Sequence, residues 1–243
     1  MYGYGYGDEG GNAYILHYYT IHTIHMKFIP LGLQCSVPDA IRAAGLCEYS
    51  YPFDWLWCPS KTTFHILHIL IHEGIEKAIE YMTGEYSYYE WLGNEHYKSV
   101  DYVTTCQLNP NTGLGNTHFE INADYKNKLR ERLERFMRDI HSVEPIVFLY
   151  TDSANPELNY HIDEIEYGVD ATEYLLKIHE LISPLHSGVQ IIYFCWNERK
   201  RENVENGAIR YVPYDYKINW FEVSAFIKHY LTEFVSVKIE NDL

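Results

Sequence analysis

The chain has 243 residues, 47% hydrophobic and 22% charged, the proportions of a globular protein that buries a real core. A formal net charge of -15 and a pI near 5.2 exclude nucleic acid and anionic lipid as main partners, because both need clustered Lys and Arg. Five cysteines with no CxxC pair and no secretory leader point to thiols in a reducing, cytoplasmic compartment, and no apolar run reaches membrane-spanning length.

Residues 1–12 read MYGYGYGDEGGN, a Gly/Tyr run too poor in aliphatic side chains to build a core. Together with the stretch holding His17, His22 and His25, residues 1–25 are expected to form a mobile extension, and residues 26–243 a single domain. Residues 28–33 predict the first core strand. Residues 36–44 predict a short helix, with Ser36 as N-cap, Pro38 in the first turn, Asp39 at the positive end and Gly45 as the stop. Residues 50–57 (SYPFDWLW) read as an aromatic loop. Residues 62–82 predict one long helix whose apolar face is Ile66, Leu67, Leu70, Ile71, Ile75 and Ile79. Residues 85–115, rich in Tyr, Asn and Gly, read as irregular. Residues 124–140 predict an amphipathic helix with Leu129, Leu133, Phe136 and Ile140 on one face.

The C-terminal half alternates. Residues 145–150 and 189–196 are apolar runs of strand length, and residues 170–182 and 221–234 predict helices. Strands apolar on both faces, separated by helices, indicate an α/β domain: a mostly parallel central sheet with helices on both faces. An α+β, papain-like layout is the alternative.

Chemistry concentrates at Gly32-Leu33-Gln34-Cys35-Ser36, where a core strand ends and a helix starts. Ligand sites of open α/β sheets lie at the carboxyl ends of strands, and a helix start favours a thiolate. A thiol nucleophile needs a base and a group that orients the base. Of thirteen His, His118 stands in a polar loop before a helix, with Asn122 and Asp124 close behind to orient the imidazole or to cap the helix. Asp54 and Trp55 are expected to support the site, with Asp54 accepting from backbone or from Arg42. His65, His68 and His72 share one helix at i, i+3 and i+7, but no thiol or carboxylate completes a metal site, and neither metal nor cofactor is expected.

Gly32-x-x-Cys35, then Ala40-Ile41-Arg42, Gly45-Leu46 and Ser50-x-Pro52-Phe53-Asp54-Trp55 resemble the N-terminal signature of a family described as putative papain-like cysteine peptidases. A later block is similar to the same family: His118, then Tyr125, Lys128 and Arg132, then Ile146-Val147-Phe148. The resemblance implies Cys35 as nucleophile and His118 as its base. It differs from papains themselves, where the oxyanion-stabilising Gln lies several residues before the nucleophile; here Gln34 adjoins Cys35. Two functions follow. One is a thiol-dependent hydrolase or acyl transferase, with the backbone N–H groups of Cys35 and Ser36 holding the oxyanion. The other is a non-catalytic protein gripping a glycan or peptide with the aromatic segments 50–57 and 86–91.

Overall fold

In a computed structural model, residues 26–33, 35–47, 49–84, 87–92, 103–108, 114–116, 121–151, 170–196, 207–214 and 220–241 are described. Four strands, β1 (Lys27–Pro30), β5 (Ile146–Thr151), β6 (Val189–Trp196) and β7 (Ile209–Tyr214), form a sheet in the order β1-β5-β6-β7. Every pairing in it is parallel. The α/β reading therefore holds, and the α+β alternative is not realised in the main sheet. All three runs expected to build it are present. β7 was not anticipated; its pattern alternates buried and exposed residues, as an edge strand's does.

The period of two sorts each strand onto two faces. Ile146, Phe148 and Tyr150 of β5 and Ile191, Tyr193 and Cys195 of β6 face one core. This core also takes side chains from α2 (Ser60–His72), α3 (Ile75–Met82), α4 (Ala123–Ile140) and α5 (Thr172–Ile182). Val147 and Leu149, with Ile192 and Phe194, face the other core, shared with α1 (Ser36–Ala43) and α6 (Trp220–Asn241). Continuous apolar strands are what a sheet covered on both sides demands.

Three tyrosines show how such a sheet uses this residue. Tyr150, Tyr193 and Tyr211 are register neighbours on β5, β6 and β7, with ring centroids 5.8 Å apart in each pair. Their hydroxyls meet helix starts. Tyr150 accepts from the Ser60 N–H at 3.0 Å, Tyr193 from the Ala171 N–H at 3.3 Å, and Tyr211 meets Thr172 Oγ1 at 3.2 Å. Each ring fills core while its polar tip serves a group at the start of α2 or α5, where donors lack intrahelical partners.

The helix expected over 62–82 is two helices, broken at Gly74, a poor residue for a helix interior. Part of the stretch read as irregular forms a second, antiparallel sheet of β2 (Ser87–Leu92), β3 (Val103–Leu108) and β4 (Gly115–Asn116). It is joined to the aromatic loop by Trp57 and Gly115, which exchange two backbone hydrogen bonds of 2.8 Å. Among the described residues no helix is long and apolar enough to cross a membrane.

Two glycines set the ends of the first turn and helix. Gly45 takes φ +70° and closes α1: its N–H donates to the Arg42 carbonyl and that of Leu46 to the Ile41 carbonyl, the paired bonds of a Schellman stop. Gly32 has φ +101°, and a Cβ there would lie 2.7 Å from Cys58 Cβ. Replacing Gly32 by Ala is expected to cost roughly 2–5 kcal/mol, from backbone strain plus overpacking. Gly45→Ala should cost roughly 1–2 kcal/mol, from strain alone, since nothing lies within 4 Å of its added Cβ. Urea unfolding of both variants checks the order; equal losses would show that the contact with Cys58 relaxes.

Candidate active site

β1 is an edge strand, and the chain leaves its carboxyl end through a tight turn at Gly32 and Leu33. Leu33 takes φ +73° although it is a bulky, buried residue. Among the described residues only one other non-glycine residue has a positive φ: Trp55, at +65°. Such strained positions cluster at functional sites. Here one lies two residues before Cys35 and the other beside Asp54.

Cys35, half-buried, occupies the N-cap position of α1, and its carbonyl accepts from the Asp39 N–H at 3.1 Å. Ser36, expected at the cap, is the first helical residue and fully buried. The thiol was expected to be lowered by the helix start. The structure gives the opposite balance: burial pushes it up to about 11, the backbone N–H of Cys35 pulls it down, and the Asp39 carboxylate adds to the rise. Desolvation of the thiolate outweighs the helix start. Cys58 is sealed in the core and pushed up to about 12, and Cys195 is buried on β6.

The loop after α1 is tied down on three sides. Arg42 Nη2 donates to Asp54 Oδ2 at 2.9 Å and to Ser50 Oγ at 2.7 Å, and its guanidinium lies 5.0 Å from the centre of the Trp55 ring. The expected contact between Asp54 and Arg42 thus forms. From α4, Asp139 Oδ2 accepts from the Tyr51 hydroxyl at 2.7 Å, and Arg135 donates to the Ser50 carbonyl. Asp139 also pairs with Lys27 of β1 at 2.7 Å. Asp54 is 2% exposed, and burial pushes its carboxyl up to about 6 against the pull of Arg42 and Arg132.

The candidate residues are not all brought together. Gln34 and His118 lie outside the described residues. Asn122 caps α4, its Oδ1 accepting from the Tyr125 N–H at 3.0 Å. Asp124 is exposed and pairs with Lys128 at 2.6 Å. Arg132 and Arg135, behind the loop, were not foreseen as partners of this segment; their spacing on α4 marks only a charged stripe. In the aromatic segment 50–57, Tyr51 and Phe53 are buried in the core, while Trp55 and Trp57 are half-buried. The side chains of the other segment, 86–91, lie outside the described residues. His68 and His72 stand with ring centroids 4.4 Å apart, and among the described residues no three His, Cys, Asp or Glu side chains are grouped to hold a metal ion.

A sequence model of the family described as putative papain-like cysteine peptidases matches residues 26–183, more than half of the chain. The chain belongs to this family. No curated protein and no solved structure matches it. The match takes in the Cys35 turn, the tied loop and the 117–120 segment, and runs past β5 to the end of α5. In this member of the family Cys35 stands between β1 and α1, at the edge of a parallel sheet.

The carboxyl of Asp54 lies above its unfolded value of 3.8, so its contribution to stability is fully present below about pH 3.8 and is lost as pH rises through about 6. Ionised, the buried group destabilises. Asp54→Asn removes the titration, so the stability of the variant relative to the parent should rise between pH 4 and pH 7, by up to about 3 kcal/mol. Urea unfolding at the two pH values reads this; a relative stability that falls or stays flat contradicts the assignment.

Proposed function

We propose that this protein is a thiol-dependent hydrolase or acyl transferase, with Cys35 as nucleophile and His118 as general base. The observation that carries the reading is the path from strand to strained turn to helix that presents Cys35 at the carboxyl edge of a parallel sheet. A sharp turn of this kind exposes a nucleophile above the sheet in α/β hydrolases, an analogy of fold and not of sequence. Membership of a family described as putative papain-like cysteine peptidases supports thiol chemistry in general.

Left to burial alone, a thiol near 11 is ionised in about one molecule in ten thousand at neutral pH. A base that takes the proton is therefore a requirement of the chemistry. His118 follows Gly115 by three residues, a reach of roughly 10 Å, and Gly115 is bonded to Trp57, next to the Cys58 against which the Gly32 turn packs. In the first step the thiolate sulfur forms a bond to a substrate carbonyl carbon, and the imidazole holds the thiol proton. As the tetrahedral intermediate collapses, that proton passes to the leaving group and a thioester remains. Water or an acceptor, deprotonated by the imidazole, then releases the acyl group. The N–H groups of Cys35 and Ser36 supply the oxyanion site. With Asn122 engaged as a cap and Asp124 facing Lys128, the orienting role is assigned to neither.

The substrate class is a peptide or other acyl compound. Limiting iodoacetamide at pH 7 followed by peptide mapping should mark Cys35 first among the five cysteines, and His118→Ala should slow that labelling about a hundredfold. A Cys35 that labels no faster than the others, or at the same rate without His118, contradicts the proposal.

A further inference from the structure

We propose that Arg42 and Asp54 are positioning residues for Cys35: their ion pair fixes the tilt of α1 and with it the place of the thiol at the edge of the sheet. The proposal rests on the reading of Cys35 as the nucleophile.

α1 has eight residues, a length of about 12 Å. Cys35 stands at its start, and Arg42 is in its last turn. So short a helix is steered from its far end. There Arg42 makes a fork, 2.7 Å to Ser50 Oγ and 2.9 Å to Asp54 Oδ2, with its plane over Trp55. The loop that receives the fork is the fixed partner. Tyr51 and Ser50 hold it to α4, and Trp57 holds it to β4. Helix α1 is therefore referenced to the main sheet and α6 through Gly32 and the buried Val37, Ala40 and Ile41, and to the second sheet through Arg42 and Asp54.

The pair is poorly built for stability. Asp54 Oδ1 and Arg132 Nη1 are both buried with no hydrogen-bond partner among the described residues. A buried carboxylate with an unmet lone pair, held by an exposed guanidinium, contributes little net stability, which leaves the geometry of the fork as what the pair supplies. Asp54 is faced by Arg42 from α1, by Arg132 from α4 and by the Cys47 thiol, so its ionisation sets whether the fork has a full charge to hold.

The test uses the full chain, with iodoacetamide labelling of Cys35 followed from pH 5 to pH 9 in the parent, Arg42→Lys, Asp54→Asn and His118→Ala. Cys195, 1% exposed, reports intact folding in the same digests. The parent profile should carry a step near pH 6 from Asp54. In Asp54→Asn that step should disappear and labelling above it should slow about tenfold, and Arg42→Lys, which keeps the charge but not the fork, should fall between. Parent-like profiles in both variants with Cys195 protected overturn the inference. So does Cys195 labelling in both, which would make the pair a general prop of the fold. A rate unchanged by His118→Ala overturns the nucleophile reading instead, whatever the Arg42 and Asp54 variants show.

Discussion

The close approach of Gly32 to Cys58 governs the site. With 2.7 Å between the place of a Cβ and Cys58 Cβ, the chain has room at that point only for a residue without a side chain. The contact pins the end of β1 to the start of α2 and turns the backbone sharply. Leu33 inherits a positive φ, and Cys35 arrives at the head of α1 beside the carboxyl edge of the sheet. Thr63 braces the same corner from α2, its Oγ1 donating to the Leu31 carbonyl at 2.8 Å and lying 3.1 Å from Cys58 Sγ. Strain in the turn persists because the packing around it leaves no relaxed alternative.

Burial and charge pull against each other throughout this region. The thiol of Cys35 and the carboxyl of Asp54 are both raised, in each case chiefly by loss of water. For the carboxyl, two guanidinium groups limit the rise; for the thiol, the nearby Asp39 carboxylate increases it. The resting protein thus keeps Cys35 protonated unless a base takes the proton.

Much of this was legible in the residues. The runs at 145–150 and 189–196 are apolar at successive positions, which only a sheet covered on both faces accommodates, and the two cores divide them residue by residue. Gly45 and Asn122 carry cap chemistry strong enough to place helix ends. The second sheet was not legible, because β2 and β3 mix Tyr, Glu, Thr and Gln without a clean alternation. The break at Gly74 was hidden because the apolar spacing continues across it from Ile71 to Ile75. The thiol shift was misread for a deeper reason. A helix start is visible in sequence, whereas desolvation at Cys35 is a property of everything packed around it. Arg42 and Asp54 lie close enough in the chain to be paired on paper; Tyr51 with Asp139, 88 residues apart, do not.

Ionisation of Cys35 can be read directly, because the thiolate absorbs in the far ultraviolet where the thiol does not. A pH titration of the difference spectrum between the parent and Cys35→Ser isolates this one group from the 24 tyrosines and the other thiols. Proton transfer from Cys35 to His118 predicts a thiolate step below about pH 8, lost in the His118→Ala background. A difference spectrum flat to about pH 9, as burial alone dictates for a thiol near 11, would contradict it.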